Sequence, residues 1–123
     1  MASIIVTSGE QKGEFLPLGK RTNVIGRAEN LPLQILGSLV SRKHLRIFYD
    51  QKTNKYYAED LKSKHGVFIN KYKIEDAIVL SDGDEILLGD VMLLFTDKDF
   101  DDRESALSHY KKYGEQKRTT IGE

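Results

Sequence analysis

The sequence contains no cysteine, no excess of charge of either sign and no long hydrophobic run. Without cysteine the chain forms neither a disulfide nor a thiolate metal site, which suits a reducing compartment and predicts a cytoplasmic location. The 19 basic residues are balanced by 19 acidic ones, whereas proteins that bind nucleic acids or anionic membranes select a basic surface. No segment approaches the ~20 apolar residues that cross a bilayer, and residues 1–7 lack the basic start of a secretory signal. We therefore expect neither nucleic acid nor membrane as a partner.

The 123 residues fit one domain, and their hydrophobic fraction of 39% supplies a single core. The apolar residues come in short runs separated by turn formers, which is the pattern of many short strands. Such close spacing predicts an all-β, antiparallel β-sandwich or barrel rather than alternating strands and helices. The predicted strands are residues 3–7, 14–18, 23–25, 33–36, 44–49, 55–61, 67–69, 72–74, 78–80, 85–88 and 91–96.

Two connections between these strands have the composition of hairpin turns. The polar segment 50–54 is rich in turn formers and is predicted to join strand 44–49 to the next one. Gly89 is the first of two residues between two apolar runs, a position that predicts a type II′ turn. Leu45, Ile47 and Tyr49 share one face of strand 44–49, and Arg46 and Phe48 share the other.

The last predicted strand is apolar on both faces over residues 91–95, so its outer side needs a cover. Residues 97–114 are predicted to provide it as a C-terminal α-helix packed on the sandwich of residues 1–96. Acidic residues at the start and Gly114 as a C-cap support a helix there. Apolar residues recur at helical spacing, at Ala106, Leu107, Tyr110 and Tyr113. Residues 115–123 are predicted to form a flexible polar tail.

Three loops between predicted strands carry groups that suit a phosphate ligand. The candidate donors stand where the chain enters or leaves a strand, at Arg27, Ser41, Arg42, Ser63 and Lys64. If these strand ends converge, guanidinium, ammonium and hydroxyl groups surround a site for a phosphate dianion, which carries about −1.5 to −2 charges. Loops on a rigid sandwich are where such recognition usually occurs.

The same loops carry a family resemblance. Gly26-Arg27 is followed by Ser41-x-x-His44, then by Asp60-Leu61-x-Ser63-x-x-Gly66, and finally by Asn70. Four elements in this order and spacing resemble the forkhead-associated (FHA) domain, over residues 23–70 in the motifs and to residue 96 with the flanking strands. The resemblance implies an FHA/SMAD-like sandwich of eleven strands. It also implies a non-catalytic signalling module that binds phosphothreonine in an extended segment of a partner protein.

The resemblance assigns a role to each matching position. Arg27 and Ser41 match the main phosphate contacts, and Arg42 matches an accessory contact. Lys64 and His65 stand where a small hydroxyl residue and Asn are usual, so we expect them to contact the peptide with a different reach. The positions expected to support the site are Gly26, His44, Ser63, Gly66 and Asn70. Two further departures are Val67 in place of Thr and Lys71 in place of Gly.

Other functions compete with phosphopeptide binding. A nucleic-acid binder would use basic residues of these loops, but no aromatic residue interleaves with them for base stacking. An FHA-like scaffold with a decayed phosphate pocket would make phospho-independent protein contacts instead. An enzyme is disfavoured because no nucleophile or acid pair accompanies His44.

The acidic run 97–102 departs from a calcium loop at Asp102 and Ser108, and three dispersed histidines make no zinc site. No metal or cofactor is therefore expected.

The end of the chain carries two threonines, Thr119 and Thr120, directly after two basic residues. They are either part of a solvated chain end or possible phosphorylation sites whose product docks into an FHA pocket. Docking on the same molecule would occur at a millimolar effective concentration, because the tether is short. Docking on a neighbour would build head-to-tail oligomers. The expected partner is thus a phosphothreonine-containing protein or the chain's own tail.

Overall fold

The computed structural model describes residues 2–97, which form two β-sheets. The strands are β1 Ser3–Val6, β2 Phe15–Pro17, β3 Thr22–Gly26, β4 Leu33–Gln34, β5 Leu45–Asp50, β6 Lys55–Asp60, β7 Val67–Ile69, β8 Tyr72–Lys73, β9 Ile78–Val79, β10 Glu85–Leu88 and β11 Val91–Thr96. Each of them overlaps one predicted run. The prediction of an all-β fold with eleven strands is therefore confirmed.

The strands divide between a six-stranded sheet, in the order β2-β1-β11-β10-β7-β8, and a five-stranded sheet, in the order β4-β3-β5-β6-β9. The four strands at the sheet edges are only two or three residues long. Residues 2–97 contain no helix that is long and apolar enough to cross a membrane. Apart from Asp97, the helix predicted over residues 97–114 and the tail with Thr119 and Thr120 lie outside the described residues.

The predicted antiparallel sandwich contains one parallel pair of strands among residues 2–97. β3 and β4 run parallel, with Ile25 beside Leu33 and Gly26 beside Gln34. A parallel connection usually needs a dozen or more residues, because the chain must return along the whole strand. Here the pairing covers only two residues, so the return is about 7 Å at ~3.3 Å per residue. The loop of residues 27–32 is long enough for that distance.

Side chains alternate so that the core lies between the two sheets. In β5, Leu45 and Ile47 are fully buried, and Tyr49 on the same face is half-buried. Arg46 and Phe48 face the other side, where the Arg46 guanidinium lies 4.3 Å from the centre of the Phe48 ring. Other large side chains with complete burial are Phe95, Ile4, Leu18, Ile25, Ile35, Ile86, Leu88 and Leu93. Burial of one such side chain contributes about 1.5–3 kcal/mol, so the core fixes the strand ends that carry the loops.

The turn between β10 and β11 has the predicted length and residue. Leu88 pairs with Val91 across two residues, and Gly89 at the first of them has a φ of 60°. A positive φ at that position fits the type II′ turn that its sequence predicts. The β5–β6 hairpin also forms as predicted, with residues 51–54 between the paired Asp50 and Lys55.

The turn between β7 and β8 places two side chains in the left-handed region. Ile69 pairs with Tyr72, and the two residues between them, Asn70 and Lys71, have φ values of 51° and 77°. Positive φ at both central residues is the mark of a type I′ turn, which favours Gly at the second position. Lys71 therefore occupies a backbone conformation that is unfavourable for its side chain.

The outer face of the six-stranded sheet is apolar at its centre. Ile5 and Leu94 lie opposite each other in the β1–β11 pair, and their exposed fractions are 0% and 3%. Neither belongs to the core cluster, because the alternation turns them away from the side that Ile4 and Leu93 occupy. The prediction that residues 97–114 cover this face concerns residues outside those described and stays a prediction.

Candidate functional site

The three candidate loops meet at one end of the sandwich. β3 ends there, β5 begins there and β6 ends there, and these three strands are neighbours in the five-stranded sheet. Backbone hydrogen bonds continue the pairing into the loops, from Arg27 N–H to the Ser41 carbonyl at 3.0 Å and from Ala28 N–H to the Arg42 carbonyl at 3.1 Å. The loop that carries Arg27 is therefore tied to the loop that carries Ser41 and Arg42.

Gly26 allows this close approach because it has no side chain. A Cβ added to Gly26 would lie 2.2 Å from the Arg42 carbonyl oxygen and 2.8 Å from the Ser41 oxygen. Both atoms belong to the backbone, so neither can turn aside as the end of a flexible side chain could. The position requires glycine for space rather than for an unusual φ.

Arg27 is held in place by its own side chain and backbone. Its Nε–H donates to the Val40 carbonyl at 3.0 Å, and its carbonyl accepts from the Gln34 amide at 3.0 Å. The hydrogen bond through Nε fixes the plane of the guanidinium and leaves the two terminal nitrogens to bind a ligand. Arg27 itself is exposed at the surface, so a solute can reach these nitrogens.

Arg27 and Arg42 line the same hollow, of 560 Å³, which we call the arginine hollow. Its rim also includes the carboxylate side chain of Glu29 and the apolar side chain of Leu36. The ion pair found among residues 2–97 joins Arg46 to Glu59. No described carboxylate oxygen therefore lies within 4 Å of a side-chain nitrogen of Arg27 or Arg42. Two cations without such a partner give this hollow the positive charge that an anion would need.

His44 joins the loop of Ser41 to the loop of Gly66. It is fully buried, its Nδ1 accepts the Ser41 N–H at 3.0 Å, and its Nε2 lies 2.8 Å from the Gly66 carbonyl. Because Nδ1 accepts a hydrogen bond and the Gly66 oxygen can only accept one, the ring is neutral with its proton on Nε2. This buried imidazole fixes the spacing of the two loops from inside.

Ser41 is the point where the second and third loops touch at the surface. Its Oγ accepts the Lys64 backbone N–H at 3.2 Å, which orients the hydroxyl. A hydroxyl that accepts one bond still has its own proton to donate. The Ser41 hydroxyl can therefore donate to a bound anion while it holds the Lys64 loop.

The loop around Lys64 is shaped by its own hydrogen bonds. Asp60 Oδ1 accepts the Ser63 N–H at 3.1 Å, and Ser63 Oγ accepts the Gly66 N–H at 2.9 Å. Gly66 has a φ of 79°. These bonds turn the chain so that Lys64 and His65 lie at its exposed tip. Within the described residues, neither side chain has a hydrogen bond or an ion pair of its own.

Asn70 is not part of this group. It lies at the far end of β7, where its amide donates to Asp84 at 2.9 Å and its carbonyl oxygen accepts the Glu85 N–H at 3.0 Å. These contacts hold the β7–β8 turn against the start of β10 and do not reach the loops of Arg27, Ser41 or Lys64. The expected support of the site from Asn70 is therefore indirect, through the position of β7.

Two side chains from the other sheet, which sequence reasoning missed, anchor the Ser41 loop. The Asp90 carboxylate accepts the Leu39 N–H at 3.2 Å and the Ser38 hydroxyl at 3.2 Å. The Gln11 side chain accepts the Leu36 N–H at 2.7 Å. Hydrogen bonds, foremost the one from the Leu39 N–H, lower the pKa of Asp90 below its usual range. Partners 51 and 25 residues apart leave no local pattern that could have revealed them.

Within residues 2–97, no cluster of three or more histidine, cysteine or acidic residues is arranged to hold a metal ion.

Known proteins resemble this chain in both sequence and structure. The family model for the FHA domain matches residues 23–89, which is more than half of the chain. The FHA domain-containing protein FhaB of Mycolicibacterium smegmatis is 27% identical over 90 residues, which is 73% of this chain and 57% of FhaB. The chain thus spans little more than half the length of this relative. The protein belongs to the FHA domain family, as the resemblance in its loops predicted.

Two solved structures have the same fold. A domain from a study of phosphothreonine-dependent FHA domain interactions superposes with a TM-score of 0.70 at 25% identity, over 80% of this chain and 98% of that domain. Mycobacterium tuberculosis EmbR, solved in complex with a low-affinity phosphopeptide, superposes with a TM-score of 0.71 at 27% identity, over 82% of this chain and 25% of EmbR. The expected sandwich architecture is therefore that of the family.

Proposed function

We propose that this domain binds a phosphothreonine-containing segment of a partner protein, without catalysis, at the loops of Arg27, Ser41 and Lys64. The observation that carries the proposal is the pairing of Arg27 with Ser41. Their backbones are hydrogen-bonded at 3.0 Å, so a fixed guanidinium and an oriented hydroxyl lie on two adjacent loops. A phosphate has three acceptor oxygens, which can take hydrogen bonds from both groups.

The hydrogen-bond donors at and around this pair have different roles in binding. The Arg27 terminal nitrogens supply charge-assisted hydrogen bonds, which are roughly twice as strong as neutral ones. The Ser41 hydroxyl supplies a neutral bond and fixes the direction of the phosphate. Arg42, Lys64 and His65 lie at the exposed margin, where Arg42 and Lys64 add long-range attraction and His65 offers a ring nitrogen to the peptide backbone.

Three observations from the comparisons with known proteins support this proposal. The chain belongs to the FHA family, and EmbR, at 27% identity, has been solved with a phosphopeptide bound. The other similar domain comes from work on phosphothreonine-dependent interactions.

A cytoplasmic location is part of the proposal, since a chain without cysteine suits a reducing compartment.

Isothermal titration with four matched peptides tests the proposal. The peptides contain phosphothreonine, phosphoserine, threonine or glutamate at one position and are otherwise identical. We expect binding of the phosphothreonine peptide, severalfold weaker binding of the phosphoserine peptide, and none of the others. One buried methyl group accounts for about 0.8 kcal/mol of the difference between the two phosphopeptides. Equal affinity for phosphorylated and unmodified threonine would instead identify a phospho-independent scaffold.

The chain's own tail is a second possible source of the phosphothreonine. Thr119 and Thr120 follow two basic residues, and phosphorylation of either would create a ligand tethered to the domain. We expect the phosphorylated chain to bind external phosphopeptide more weakly, or to form oligomers whose mass rises with concentration. Both measurements unchanged in a phosphorylated sample would exclude the tail as a ligand.

A further inference from the structure

A second hollow, which we call the Arg21 cleft, adjoins the arginine hollow. It measures 600 Å³ and lies along the edge of the five-stranded sheet, beside β3 and β4. Asn30 lines both hollows, and the consecutive residues Arg42 and Lys43 line one hollow each. A chain that occupies the arginine hollow therefore reaches the Arg21 cleft without leaving the surface.

The lining of the Arg21 cleft combines two cations with an apolar floor. Arg21 and Lys43 are its charged residues, and none of its described lining residues is Asp or Glu. The apolar part includes Val24, Leu31 and Leu33. Clefts with an apolar floor and a few placed charges are typical of ligand sites, and the sign of the charge here selects an anion.

Arg21 is positioned by the backbone rather than left free in solvent. A Cβ added to Gly19 would lie 3.2 Å from the Arg21 guanidinium carbon, so the guanidinium packs over the bare backbone of Gly19. The Arg21 carbonyl also accepts the Tyr49 N–H at 3.3 Å. A cation that is packed in this way loses less side-chain freedom when it binds an anion.

The positive charge here is local, because the chain as a whole has no net charge. The two hollows together are lined by four cations, at Arg21, Arg27, Arg42 and Lys43, and by one carboxylate, at Glu29. Within residues 2–97, none of the four cations has a carboxylate within 4 Å. A single phosphate in the arginine hollow neutralises at most two of them.

We infer that the Arg21 cleft binds an acidic side chain of the same partner segment, flanked by an apolar residue that lies on the cleft floor. This inference rests on the proposed function, because the phosphothreonine anchors the segment. An extended chain advances ~3.3 Å per residue. Lys43 follows Arg42 directly, whereas Arg21 and Arg27 stand at opposite ends of the five-residue strand β3, about 20 Å apart along the strand. An acidic residue within about five positions of the phosphothreonine lies up to ~17 Å away along the peptide. That distance reaches Lys43, and the lengths of the acidic and arginine side chains bridge the remainder to Arg21.

A phosphopeptide library tests the inference. Its peptides have a fixed phosphothreonine and five randomised positions on each side, and it is screened against the wild-type domain and a double variant, Arg21→Ala with Lys43→Ala. The control is Lys12→Ala with Lys52→Ala, which removes the same charge from exposed positions outside both hollows. We expect the wild type and the control to select Asp or Glu beside an apolar residue, and the double variant to lose that selection.

Affinities of one selected peptide complete the test. We expect Arg21→Ala and Lys43→Ala each to weaken binding about two- to fivefold, the range of an exposed ion pair. Replacing the peptide's acidic residue by alanine should abolish the effect of Lys43→Ala. Selection of acidic residues that persists in the double variant, or its absence in the wild type, overturns the inference and leaves the proposed function intact. Capture of no phosphopeptide at all by the wild type overturns both.

Discussion

Gly26 and the Arg42 carbonyl are in direct contact, at a distance that leaves no room for a methyl group. The contact joins the last residue of β3 to the loop that follows β4. It brings the backbone of the Arg27 loop onto the backbone of the Ser41 loop, and the pairing of these two residues in the site depends on it.

Gly26→Ala should therefore separate the two loops. Because the added Cβ meets backbone atoms, we expect a loss of stability of about 1–3 kcal/mol, as for overpacked cores. Phosphopeptide binding should weaken as well, at temperatures where the variant remains folded. Urea unfolding and calorimetry measure the two effects. A variant with wild-type stability and affinity would show that the loops tolerate separation.

His44→Ala should lower stability and binding together. It leaves the half-buried Ser41 N–H and the buried Gly66 carbonyl without partners, and a buried group without a partner costs about 1–3 kcal/mol. His44→Asn is the matched comparison, since its side chain can accept from Ser41 but is too short to reach Gly66. We expect an intermediate unfolding midpoint for His44→Asn. If His44→Ala loses stability but keeps full phosphopeptide affinity, His44 supports the core and not the site.

Arg27→Ala should weaken phosphopeptide binding about ten- to a hundredfold, because a charge-assisted hydrogen bond contributes ~1.5–3 kcal/mol. Ser41→Ala should have a smaller effect, since its hydroxyl is neutral. Arg27→Lys keeps the charge without the planar fork, so we expect an intermediate affinity. Calorimetry on variants with native unfolding curves separates these values. Unchanged affinity in Arg27→Ala would place the phosphate elsewhere.

Asp90→Asn should lower stability in a pH-dependent manner. Hydrogen bonds from the Leu39 and Ser38 region depress the pKa of Asp90 in the folded state below the reference value of 3.8. The ionised form is therefore favoured by folding, and its contribution is present above pH ~4 and lost as the pH falls through the depressed pKa. We expect the difference in unfolding free energy between wild type and Asp90→Asn to shrink below pH ~4. A difference that stays constant from pH 7 to pH 2 would contradict this.

Lys71→Gly should stabilise the domain. Lys71 has a φ of 77°, and a left-handed backbone costs a side chain about 1–2 kcal/mol that glycine does not incur. Part of that gain is offset by the greater freedom of glycine in the unfolded chain, which leaves an expected increase of about 0.5–1 kcal/mol. Lys71→Ala is the control, because alanine disfavours the same φ. Thermal unfolding should show an increase for glycine and none for alanine.

The strands were predictable because their apolar runs are short and bounded by turn residues. The hairpin at Gly89 was equally readable, since its turn type depends on one residue. The parallel pairing of β3 with β4 was not, because local sequence carries no signal for strand direction. The anchoring of the Ser41 loop by Asp90 could not be predicted either, since the hydrogen bond from Leu39 to Asp90 joins parts of the chain 51 residues apart.

The candidate site was predictable as a set of loops and not as a geometry. The motif spacing identified Arg27, Ser41 and His44, but it could not indicate that His44 bridges two loops through both ring nitrogens. It also grouped Asn70 with the site, although Asn70 bonds to Asp84 and Glu85 at the other end of β7. Distances along the chain do not report which end of a strand a residue occupies.

The four short edge strands have a consequence for how a partner can attach. An extended peptide that joins a sheet edge gains affinity from a ladder of backbone hydrogen bonds that is insensitive to side-chain identity. Edges of two or three residues offer at most a fragment of such a ladder, and they equally discourage aggregation between copies. A partner held mainly by loop side chains loses most of its affinity when one charged group is removed. The fraction of domain with a bound partner would therefore follow the phosphorylation state of the partner segment closely, because the unphosphorylated segment binds only weakly.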